Sequence, residues 1–93
     1  MSYELTFDKR ALKEWRKLGD TVREQFKKKL AERLVYPHVA TDKLHGYSAR
    51  YKIKLRASGY RLVYEVNDTE IIILVLAVGK RDSLEVYKIA EKR

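Results

Sequence analysis

The chain has 93 residues, a mass of 11.0 kDa and no cysteine, which leaves room for one domain and excludes a disulfide framework or a thiolate metal site. Lys and Arg number 21 against 13 Asp and Glu, a formal charge of +8, while 45% of the residues are apolar or aromatic. That composition excludes a disordered tail and points to a polyanionic partner such as nucleic acid. The longest apolar run, Ile71 to Val78, has eight residues against the roughly 20 that a membrane helix needs. The opening stretch MSYELTFDKR lacks the apolar core of a secretory signal, so a cytoplasmic protein with no membrane partner is expected.

Tyr3, Leu5 and Phe7 alternate with Glu4 and Thr6, which predicts a short strand. Asp8 offers an N-cap for a helix carrying Ala11, Leu12, Trp15 and Leu18, with Trp15 in the core and Gly19 as a left-handed C-cap. Asp20 or Thr21 starts a second helix, with Thr21 and Glu24 spaced as a capping box. Val22, Phe26, Leu30 and Leu34 form its buried stripe, and Lys27, Lys28, Lys29 and Arg33 spread over the remaining surface. Pro37 ends this helix at or before Tyr36, and Val39 to Ala49 reads as a loop.

The period then changes to two. Tyr51, Ile53 and Leu55 alternate with Lys52, Lys54 and Arg56; after Ala57-Ser58-Gly59, Tyr60, Leu62, Tyr64 and Val66 alternate with Arg61, Val63 and Glu65. This is the pattern of a β-hairpin. Asn67-Asp68 makes the next turn, and Ile71 to Val78 reads as a central strand covered on both faces, ended by Gly79-Lys80-Arg81. Asp82 or Ser83 caps a final amphipathic segment, Leu84 to Arg93. The order β-α-α-β-β-β-α predicts an α+β fold over residues 1–93: two N-terminal helices pack on one face of a small, mostly antiparallel sheet, a C-terminal helix follows, and the other face is left open.

Charge marks that open face. The 22 residues from Lys43 to Tyr64 contain no acid and six cations: Lys43, Arg50, Lys52, Lys54, Arg56 and Arg61. Alternation puts Lys52, Lys54 and Arg56 together, with Arg61 free to join them from the paired strand. Cations opposite one another destabilise a sheet, so this face calls for an anion, and a phosphate backbone suits both Arg and Lys. Seven tyrosines accompany them. Tyr51, Tyr60 and Tyr64 alternate with the core set, whereas Tyr87 is free to stack on an unpaired base. With no metal-ligand spacing and no cofactor motif, the general base of an enzyme here would be a lysine whose pKa is lowered by its neighbours.

The stretches FDKRALKEWRKLG, VREQFKKKL, YKIKLRASGYRLVYEV and VGKRDSLEVY resemble the RelE toxins of bacterial toxin–antitoxin pairs along nearly the whole chain. The resemblance implies a RelE-type fold akin to the microbial ribonucleases, and a ribosome-dependent endoribonuclease that cuts the mRNA codon in the ribosomal A site. The ribose 2′-oxygen would attack the adjacent phosphorus, with no metal or cofactor, giving 2′,3′-cyclic phosphate and 5′-hydroxyl ends. By the same resemblance Lys52 and Lys54 activate the 2′-oxygen and stabilise charge, Arg61 clamps the scissile phosphate, Arg81 assists the leaving 5′-oxygen and Tyr87 stacks on a codon base. Lys43, His45, Arg50, Arg56 and Lys80 would add RNA contacts. The chain departs from the family at His45, where RelE toxins carry an arginine. A histidine offers phosphate a weaker contact. The implied partners are a RelB-type antitoxin, the ribosome with its mRNA, and operator DNA reached through the antitoxin complex.

Two other readings compete. One is a ribosome-independent ribonuclease with His45 and Glu65 as an acid–base pair. The other is a non-catalytic module whose cationic strands bind nucleic acid or the antitoxin.

Overall fold

The computed structural model describes residues 2–80 and 85–93. β1 (Glu4–Phe7) leads into α1 (Lys9–Arg16) and α2 (Asp20–Val35), then β2 (Arg50–Leu55), β3 (Tyr60–Asn67), β4 (Ile72–Lys80) and α3 (Glu85–Glu91). The expected caps at Asp82 or Ser83, the residue Leu84 and the candidate Arg81 lie outside the described residues. The sheet runs β1-β4-β3-β2, with β2, β3 and β4 antiparallel and β1 parallel to β4. This is the α+β arrangement that the element order predicts.

Local chemistry sets the helix starts. The Asp8 carboxylate accepts the Arg10 amide at 2.9 Å, the expected N-cap of α1. The expected C-cap at Gly19 and the capping box at Thr21 do not form. α1 ends at Arg16, and Gly19 is extended (φ −66°, ψ 157°) as the N-cap of α2. Thr21 therefore lies inside the helix, and Asp20 in the first turn pairs with Arg23 at 2.6 Å instead. The stretch expected to be a plain loop contains a 3₁₀ turn, Ala40–Asp42, and Lys43 bridges to Tyr51 at the edge of β2.

Two apolar layers flank the sheet. Ala11, Leu18, Phe26 and Leu30 from the helices pack on Tyr51, Ile53, Leu55, Leu62, Tyr64, Ile73 and Val75. Trp15 joins this layer between Phe7 and Phe26, with ring centroids 5.3 and 6.2 Å away. On the opposite face Val63, Leu76 and Ala77 meet Val86 and Ala90 of α3. A register shift between Val63 and Tyr64, which face Ala77 and Val75, leaves Leu76 as an extra residue. This β-bulge turns both Leu76 and Ala77 into the second layer. The sheet face expected to stay open is thus roofed over β3 and β4 by α3, because Val86 and Ala90 recur four residues apart and present one apolar stripe. Among the described residues α3 packs on β3 and β4 and leaves the β2 side of this face uncovered.

Candidate active site

The β2–β3 hairpin builds the site. Gly59, at φ 78°, takes the left-handed conformation that its tight turn requires. With Tyr51, Ile53 and Leu55 buried, Lys52 and Lys54 project to the uncovered face. Lys54 stands directly opposite Arg61 in the ladder, and Lys52 opposite Val63. The Lys54 ammonium is held below its ordinary pKa, first by the charge of Lys52, then by partial desolvation and by Arg61. Lys54, Leu55, Arg56, Gly59 and Arg61 line a cleft of about 280 Å³.

α3 supplies the aromatic side of this cluster. The Arg61 Nη1 donates to the Tyr87 hydroxyl at 2.9 Å, and its guanidinium lies 5.7 Å from the Tyr87 ring centroid. α3 approaches this closely because Gly79, the ladder partner of Arg61, has no side chain. A Cβ at Gly79 would lie 3.0 Å from Val86 Cγ2. Exposed Lys80 faces Tyr60 at the end of β4, its ammonium 6.0 Å from that ring. The fold therefore gathers Lys52, Lys54, Arg56, Arg61 and Tyr87, with Lys80 on the strand beyond.

Other candidates sit elsewhere. Lys43 and His45 are exposed on the loop before β2. Arg50 is committed to the scaffold. Its Nε donates to Glu65 Oε2 at 3.0 Å, its Nη1 donates to the Ala90 carbonyl at 3.0 Å, and it stacks 4.6 Å over Tyr47. Glu65 is Arg50's ladder partner, which takes that carboxylate away from a role opposite His45.

Sequence reasoning missed Arg33. Its guanidinium donates to the Tyr64 hydroxyl at 2.8 Å, to Asp42 at 2.6 Å and to the Lys52 carbonyl at 3.4 Å. It holds the backbone of the lysine strand from behind rather than coating the surface of α2. The signal was present: Arg33 lies seven residues after Phe26 and three after Leu30, on the buried face. Among the described residues no helix is long and apolar enough to cross a membrane.

Comparison with known proteins shows the family and the fold. The family model described as the ParE toxin of the type II toxin–antitoxin system parDE matches residues 5–84. The mRNA interferase toxin RelE of Escherichia coli K12 is 60% identical over 93 residues, covering 100% of this chain and 98% of that protein. A mutant of E. coli RelE in the free state superposes with a TM-score of 0.92 at 59% identity, over 100% of this chain and 98% of that one. RelE in the intact E. coli RelBE toxin–antitoxin complex matches with a TM-score of 0.84 at 59% identity, over 87% and 99% of the two chains.

Proposed function

The chain belongs to the RelE family of type II toxin–antitoxin toxins, and from that premise we propose that it is a cytoplasmic, ribosome-dependent mRNA endonuclease, a single domain neutralised by a RelB-type antitoxin. The observation that carries this reading is the like-charged ladder pair Lys54–Arg61, with Lys52 beside it and Tyr87 held on Arg61. Such a cluster costs stability until an anion arrives, and a bridging phosphate with a stackable base satisfies all four side chains at once.

The chemistry follows from the charges. Lys54, with its lowered pKa, takes the proton of the ribose 2′-OH. The 2′-oxygen forms a bond to the adjacent phosphorus, and the bond from phosphorus to the 5′-oxygen breaks. Lys52 and Arg61 balance the charge that builds on the phosphorane. Arg81, next in sequence to Lys80, balances the charge on the departing 5′-oxygen, which takes up a proton from water and so ends as a hydroxyl. Tyr87 stacks on the codon base and keeps attack in line. Lys43, His45, Arg56 and Lys80 extend the phosphate contact. Arginine is effectively always protonated and donates a proton poorly. Alignment must therefore supply much of the rate, and a ribosome holding mRNA in the A site supplies alignment. In complex with its antitoxin the toxin also takes part in repressing its operon, with the antitoxin contacting DNA.

The test is the identity of the product ends on ribosome-bound mRNA. A 2′,3′-cyclic phosphate on the upstream fragment, lost in Lys54→Ala and Arg61→Ala, is expected. Binding without any new ends would instead favour a non-catalytic docking module.

A further inference from the structure

β1 pairs with only the first part of β4: the ladder stops at Phe7↔Val75, and the Asp8 amide closes it on the Val75 carbonyl at 2.9 Å. Beyond that point the outer edge of β4 has no strand beside it among the described residues. Two of its backbone groups are satisfied by side chains instead. Glu14 of α1 accepts the Val78 amide at 3.1 Å, and Arg93, after α3, donates to the Leu76 carbonyl at 2.9 Å. The two side chains also bind each other, Nη1 to Oε1 at 2.9 Å and Nη2 to Oε2 at 3.2 Å. Arg93 keeps only 10% of its side-chain surface exposed and Glu14 27%, so this bidentate pair is shielded from screening better than a surface ion pair. The edge it caps flanks Leu76, the bulged residue on which α3 packs.

We propose that Glu14 and Arg93 are positioning residues of the cleavage site: seated on the unpaired edge of β4, the pair fixes the far end of α3 so that Tyr87 stays on Arg61. This rests on the reading of Tyr87 as part of the site. α3 has only seven residues, too few to be stable alone; its fully buried apolar contacts with the sheet are two small side chains, Val86 and Ala90, with Tyr87 and Ile89 partly buried beside them. Beside this packing and the Arg50 bond to the Ala90 carbonyl, the orientation of Tyr87 also depends on what holds the end of the helix. Neither Glu14 nor Arg93 is part of the cationic cluster, so any effect of removing them passes through α3 or through the β4 edge that they cap, and the exchange measurement separates the two.

The test combines amide exchange with a double-mutant cycle on ribosome-dependent cleavage. Arg93→Ala is expected to lose exchange protection in residues 85–91 while β3 keeps its own, and to lower kcat by on the order of tenfold to a hundredfold. Arg93→Lys, which keeps the charge but not the fork, recovers part of that loss. In a Tyr87→Ala background, Arg93→Ala should change the rate less than about twofold, because the group it positions is gone. Full protection and full rate in Arg93→Ala would overturn the proposal alone. So would a penalty that adds undiminished to that of Tyr87→Ala. Undiminished cleavage by Tyr87→Ala would overturn the reading of the site, and this proposal with it.

Discussion

Lys54 is the residue on which the chemistry turns, and its environment makes a signed prediction. Lys52 lowers the Lys54 pKa, so Lys54 is neutral, and able to act as a base, at a lower pH than a free lysine. Replacing Lys52 by Met removes the largest cause of that shift. The Lys54 pKa then rises, and the acidic limb of the pH–rate profile for cleavage moves to higher pH; a limb that stays in place would assign the base elsewhere. Arg50 makes the opposite case, a cation of the same strand with a structural task. Arg50→Ala removes partners from Glu65 and from the Ala90 carbonyl. It should cost about 1–3 kcal/mol in denaturant unfolding while leaving the salt dependence of RNA binding unchanged. The sequence could not separate Arg50 from Lys52 and Lys54, because alternation gives all three the same face. What separates them is the ladder partner, Glu65 against Val63 and Arg61, and pairing register is not written in one strand.

At the scale of elements, the hairpin was legible because period-two alternation and the Gly59 turn are strong local signals. The roles of Lys54, Arg61 and Tyr87 entered through family resemblance as well as through charge. The roof over the second face was harder to read. α3 touches β4 through a bulge at Leu76, and a bulge leaves no mark in a run that is apolar at every position. The clasp between Glu14 and Arg93 spans 79 residues and follows no local rule. The capping box at Thr21 failed because a spacing motif competes with the neighbouring helix end, and the short link from Lys17 to Gly19 set the N-cap of α2 two residues early. The close approach of α3 to Gly79 carries its own prediction. Gly79→Ala brings a Cβ to 3.0 Å from Val86 Cγ2, so overpacking of roughly 1–3 kcal/mol outweighs the entropic gain of about 0.5–1 kcal/mol from replacing glycine in a strand. The variant should melt at lower temperature and cleave more slowly. Adding Val86→Ala should restore part of the melting temperature, a recovery that distinguishes steric pressure from a general loss of stability.

Across the whole molecule, the net charge of +8 divides between cations that sit in ion pairs and cations that do not. Arg10, Arg23, Lys27, Arg33, Arg50 and Arg93 each sit in an ion pair with an acid. Lys52, Lys54, Arg56 and Arg61 are in no ion pair among the described residues and stand together on the β2–β3 hairpin, so their charge is left uncompensated on the β2 side of the sheet. Affinity for single-stranded RNA should then fall with salt, and each phosphate contact removed should flatten that slope by about 0.7. Lys54→Ala and Arg56→Ala are expected to do so, and Arg10→Ala is not; equal slopes for all three would mean that the charge acts diffusely. The same distribution explains why the fold alone is a poor catalyst in this account. It supplies charge and a stacking ring but no acid–base pair, and so depends on a substrate already held in line. The direct measurement is the single-turnover cleavage rate of one defined mRNA, free and with its codon in the ribosomal A site, mapped by primer extension at equal protein concentration. A cut confined to the A-site codon, faster by orders of magnitude than on free mRNA, is the predicted result. Comparable rates on free and ribosome-bound mRNA would contradict the account.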